Sequence, residues 1–146
     1  QIVAQYYDFL RLGRDGYRRV HDAAYATGRY IAQEIENIGL FELLHDSDPS
    51  TGIPCVTWRI PEGVDLGFTL YDLADRLRIK GWQVPAYTLT GTASDIAVQR
   101  ILVRQDVSRD LASLLMDDFR EAIEHLGRHP VTVPMTKEES AGFNHL

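Results

Sequence analysis

The sequence predicts an α/β domain of the α+β type: an antiparallel-rich sheet of about four strands with helices on one face, preceded by a long helix. Three observations predict it. Residues 1–38 thread on helical spacing. Four short extended or alternating runs follow, at 41–46, 54–60, 82–89 and 96–103. Apolar stripes of helical period lie at 69–80 and 108–129.

The first helix is marked by Ile2, Tyr6, Leu10, Tyr17, Ala24, Ile31, Ile35 and Ile38, with Gly39 as a left-handed stop. It reads as one helix or as two nearly continuous ones, with Gly13 and Gly16 open to three readings: a kink, a close backbone approach, or tolerated glycines. At 1.5 Å per residue it would run about 57 Å, against a diameter near 40 Å for a compact chain of this length. It should therefore overhang its own domain, leaving Ile2, Val3, Tyr6, Tyr7, Phe9 and Leu10 in need of another surface. The chain opens at Gln1 directly in helical periodicity, without an initiating Met or a cap, so it is expected to be cut from something longer.

After two strands joined by the turn-rich DSDPSTGI loop, Thr69 and Asp72 have capping-box spacing, and Phe68 and Leu73 that of a hydrophobic staple. Leu70, Leu73, Ala74 and Leu77 give this second helix its buried stripe, and Gly81 ends it. Pro85 confines the next extended run to an edge, a bulge or a strand start. Ser108 caps the last helix, Asp110 suits its positive end, and the stripe from Leu111 to Leu126 stops before Pro130. Beyond that, periodicity is lost and a mobile tail is expected.

One domain suits 146 residues, and 45% apolar with 25% charged residues is an ordinary globular composition. A net charge of −6 without any block of Lys and Arg argues against nucleic acid or an anionic membrane as partner. Cys55 stands alone; with no signal peptide and no membrane-spanning apolar run in the sequence, a cytoplasmic location is expected.

From Ile96 the chain alternates, placing Arg100 in one row with Ile96, Val98 and Leu102. A guanidinium stays charged, so among branched aliphatics it needs a carboxylate or phosphate partner. That partner is either internal, Asp95 or Asp72, or an anionic ligand; an edge strand facing water would need neither. His125 and His129 have metal-ligand spacing but no third ligand in view, and a helix C-terminus accounts for them; no metal is expected. His145 is the one tail residue whose charge changes near physiological pH.

The stretches FLRLGRDGY (9–17), LYDLADRLRIKGWQVPAYTL (70–89) and TASDIAVQRILVR (92–104) resemble the C-terminal part of the bacterial pyridoxal-phosphate-dependent glutamate decarboxylases. The resemblance implies the small domain of a fold-type I enzyme. Residues 1–38 would connect to a large cofactor domain outside this chain, 39–130 would form the small domain, and 131–146 a mobile tail. It also implies that Arg100 grips the α-carboxylate of L-glutamate, that the full-length enzyme is a homo-oligomer, and that proton consumption in forming γ-aminobutyrate and CO2 serves acid resistance. The Schiff-base lysine of the family follows a histidine; Lys80 and Lys137 do not, so none is expected in this chain and pyridoxal 5'-phosphate would be bound by the large domain. The isolated chain should be inactive. His145, penultimate as in bacterial relatives, is expected to gate the site by pH. The acidic KEES stretch (137–140) is unlike a calmodulin target. The alternative is a stand-alone module that binds an acidic amino acid through Arg100.

Overall fold

The computed structural model describes residues 1–137 and 139. Helix α1 (Ile2–Ile38) is followed by β1 (Glu42–Asp46), β2 (Cys55–Arg59), α2 (Leu70–Ile79), β3 (Ala86–Thr88), β4 (Ala97–Leu102) and α3 (Arg109–Arg128), with a 3-10 turn at Gly91–Ala93. The four strands form one antiparallel sheet in the order β1-β2-β4-β3. This is the predicted class, with strand ends differing by a few residues.

Register assigns the faces. Val56 lies opposite Ile101 and Trp58 opposite Gln99. Val56 and Trp58 are fully buried in the core with Ile31 and Ile35 of α1, Leu73 and Leu77 of α2, and Met116 and Phe119 of α3. All three helices thus cover one face. Trp58 and Phe119 meet edge to face at 5.7 Å between centroids, and Phe41 meets Phe119 at 5.8 Å; burying each such ring contributes about 1.5–3 kcal/mol.

Helix α1 is two helices nearly continuous across Gly13, whose φ of 57° and ψ of −176° are not helical. Only glycine adopts that conformation cheaply, so the residue is a kink rather than a tolerated glycine. Gly28 meets a different demand. A Cβ there would clash with Ser47 Oγ, so only a hydrogen lets α1 approach the loop after β1. Ser47 is itself fully buried, with a φ of 68°.

The capping box of α2 is complete. Thr69 Oγ1 accepts from the Asp72 amide at 3.3 Å, and the Thr69 amide donates to Asp72 Oδ2 at 2.7 Å. Phe68 and Leu73, the staple pair, are both buried in the core. Ser108 caps α3 by accepting from the Leu111 amide at 3.1 Å.

Two details depart from expectation. The run predicted over 82–89 is a strand only from Ala86, because Pro85 has no N–H with which to extend the ladder. Residues 82–85 are held otherwise: Trp82 Nε1 donates to Asp118 Oδ2 at 2.7 Å, and Gln99 Nε2 donates to the Val84 carbonyl at 3.0 Å. After α3, residues 131–137 are non-helical as expected, yet they are tied to α2 and β3. The Met135 amide donates to Asp72 Oδ1 at 3.0 Å, and Lys137 Nζ donates to Thr88 Oγ1 at 3.0 Å. His145 lies outside the described residues. Among the described residues no helix is long and apolar enough to cross a membrane.

Candidate functional site

Strand β4 alternates, and its pairing with β2 puts Arg100 opposite Thr57, on the face turned away from the helices. Strand β3 reaches only as far as Ala86, opposite Gln99. Arg100 is therefore the first β4 residue beyond the end of β3. A cavity of about 440 Å³ opens there, lined by Trp82, Gln83, Pro85, Tyr87, Arg100, Leu102, Val107, Leu111 and Leu115 among others.

The apolar row read from the sequence is not buried along its whole length. Val98 is fully buried, but Leu102 is 50% exposed and Arg100 is exposed. The guanidinium is consequently not forced into a buried pair. Neither internal carboxylate considered for it is engaged. Asp72 binds Thr69 and Met135, and among the described residues Arg100 forms no ion pair or hydrogen bond with Asp95 or any other group. Its recorded contact is aromatic: Cζ stands 5.5 Å from the centroid of the Tyr87 ring.

Among the described residues Arg109 is alike in having only an aromatic contact, over Tyr30, but several other arginines are ion-paired. Arg59 Nε donates to Glu42 at 2.7 Å, Arg104 to Asp106 at 2.7 Å, and Arg120 binds both Asp117 and Glu34. The Arg59 and Arg104 cations are stabilised by these hydrogen bonds, which push their pKa values up. The charge of Arg100 is left for something else. An arginine at a cavity, with its N–H donors unspent, can take a carboxylate in a two-point, planar grip.

The chain's two lysines do not fit a Schiff base with pyridoxal phosphate. Lys80 Nζ lies 2.9 Å from Glu121 and 3.4 Å from Asp118, and hydrogen bonds to these carboxylates, Glu121 first, raise its pKa, so the amine is held protonated. Lys137 is bound to Thr88. His125 and His129 stack at 4.5 Å between centroids, and no group of three or more His, Cys, Asp and Glu able to hold a metal is assembled among the described residues. Desolvation lowers the pKa of His125, and repulsion from Arg76 and His129 adds to it. Cys55 is buried, with its Sγ 3.6 Å from His45 Nδ1.

The sequence singled out Arg100 but gave no sign of Tyr87 beside it or of the Asp72 to Met135 tie. Both depend on which residues of distant segments come to be neighbours. Strand alternation could have placed Tyr87 on one face of β3, but only the pairing of Tyr87 with Val98 brings it beside Arg100.

No protein-family model matches the chain. It is 48% identical over 145 residues to a glutamate decarboxylase of Aliivibrio fischeri and 38% identical over 146 residues to one of Lactococcus lactis; each match covers 99% of this chain and 31% of the relative. The matches fall in the C-terminal region of these proteins, and the chain spans about a third of their length. Among solved structures, glutamate decarboxylase of Lactobacillus brevis superposes with a TM-score of 0.83 at 36% identity, over 90% of this chain and 29% of that one. A sphingosine-1-phosphate lyase of Burkholderia pseudomallei shares the fold alone, with a TM-score of 0.60 at 20% identity over 82% of this chain and 24% of that one.

Proposed function

We propose that this chain is the C-terminal small domain of a cytoplasmic, pyridoxal-phosphate-dependent glutamate decarboxylase, a carboxy-lyase that releases CO2 from L-glutamate and leaves γ-aminobutyrate. The observation that carries the reading is the 48% identity, over 99% of the chain, to the Aliivibrio enzyme.

In this reading the chain supplies the anchor for the substrate α-carboxylate. Arg100 donates to both carboxylate oxygens, which fixes the plane of the group and hence the direction of the bond that breaks. Its lack of an internal partner supports this, because no carboxylate of the described chain competes for its donors. The cofactor, when bound, supplies the electron sink; residues outside this chain hold it, since Lys80 and Lys137 do not fit.

The exposed apolar strip of Ile2, Val3, Tyr6, Tyr7, Phe9 and Leu10 is assigned to the contact with the rest of a longer, homo-oligomeric enzyme. The tail is assigned to pH gating. Asp72 and Thr88 fix where it departs, and the eight residues from Lys137 to His145 can span at most about 26–29 Å. A neutral His145 then blocks the site above the ordinary histidine range, and its protonation at acid pH releases it. Removing 143–146 should keep activity at higher pH; an unchanged profile would reject the gate.

The test of the whole reading is the intact mass of the native polypeptide from its source cells after borohydride reduction. A longer chain bearing one reduced pyridoxyl adduct supports it. A 146-residue chain without an adduct would favour the stand-alone amino-acid-binding module instead.

A further inference from the structure

We propose that Tyr87 is the positioning residue for Arg100, holding the guanidinium over its ring so that the cation is oriented without being neutralised. The inference rests on the reading of Arg100 as a carboxylate anchor. Tyr87 pairs with Val98 across the β3–β4 ladder, which places its side chain on the face that carries Arg100 two residues further along. The ring is half-buried, and the guanidinium carbon stands 5.5 Å from its centroid.

The choice of partner has a chemical consequence. Arg59 and Arg104 are positioned by carboxylates, each of which occupies donors and offsets the charge. A carboxylate beside Arg100 would do the same and would compete with the incoming anion. The face of an aromatic ring attracts the cation through its quadrupole and takes none of the five N–H donors. The long, flexible side chain is thus restrained while its donors remain free for the ligand. The hydroxyl plays no part in this, so phenylalanine should serve as well.

The experiment uses the full-length enzyme that contains this chain, comparing Arg100→Met, Tyr87→Leu and Tyr87→Phe. It reads KM and kcat for glutamate, and calorimetric affinity for glutarate, the substrate's carbon skeleton without the amine. Cofactor absorbance checks that each variant is loaded. Tyr87→Leu is expected to raise KM and weaken glutarate binding by about threefold to tenfold with kcat within about twofold, while Tyr87→Phe stays within about twofold of the parent throughout. If Tyr87→Leu does not fold, Tyr87→Met takes its place with the same expectation.

A neutral Arg100→Met would overturn the anchor reading, and this inference with it. A strong effect of Arg100→Met beside a neutral Tyr87→Leu would overturn the inference alone. So would a Tyr87→Phe as impaired as Tyr87→Leu, because it would assign the effect to the hydroxyl.

Discussion

Helix α1 is rich in apolar residues on both sides of Gly13, yet the two sides are treated oppositely. C-terminal to the kink, Ala24, Ile31, Ala32 and Ile35 are at most 6% exposed, packed on the sheet and on α3. N-terminal to it, Ile2 is 83% exposed and Leu10 68%. An apolar stripe states that a face must be covered, and the hydrophobic effect that demands this is non-directional, so the stripe does not say by what. The covered half answers to its own domain. The bare half is the part of the molecule whose partner the fold does not supply.

That contrast can be broken most forcefully from the covered side. Phe119→Ala should cost about 3–5 kcal/mol and Ile31→Ala about 2–5 kcal/mol by chemical denaturation of this chain, since each removes a fully buried side chain and leaves a void. Next comes Gly28→Ala, whose Cβ would have to displace Ser47 Oγ; we expect a loss of about 1–3 kcal/mol, partly recovered by Ser47→Gly in the same chain. A cost within about 0.5 kcal/mol would show that the contact between α1 and the loop after β1 yields easily.

The bare side should behave differently. Replacing Ile2, Tyr6 and Leu10 by Ser should change stability by no more than about 0.5 kcal/mol for each site, while self-association measured by sedimentation falls. If instead the triple variant melts well below the parent, those side chains are covered within the chain and the contrast fails. Gly13→Ala separates the halves further. Its native conformation is costly for alanine, so the kink should straighten, redirecting residues 2–12 with little change in the melting of the rest; small-angle scattering would register the longer particle.

The smallest effect concerns His125. Its pKa lies below the ordinary histidine value in the folded chain, chiefly through desolvation, so the unfolded chain binds the proton more readily. Stability should therefore be greatest above the ordinary histidine range and decline as pH falls through it towards the lower folded value. His125→Gln should flatten that slope, read as the melting temperature across the mildly acidic range.

Much of the fold was legible because its signals are local. The capping box at Thr69 and Asp72, the stop at Gly39, the cap at Ser108 and the alternation of β2 and β4 each involve residues a few positions apart, whose geometry the backbone fixes by itself. The shortened β3 was half legible: Pro85 announced an edge or a start, but the extended run from Trp82 to Leu89 suggested a longer strand. The tie from Met135 to Asp72 was not legible at all, since 63 residues separate the two and a carboxylate already committed to a cap gives no sign of a second partner.

The same division runs through the site. By itself the sequence determined that Arg100 is a permanent cation on an alternating strand, because charge and strand period belong to the residues themselves. Only the tertiary structure decided that no carboxylate among the described residues reaches Arg100, that Tyr87 lies beside it, and that β3 ends at the Ala86–Gln99 pair with a cavity beyond it. Those outcomes depend on sheet register and on Pro85's missing donor, which act between segments distant in the chain, and no local pattern encodes which distant segments meet.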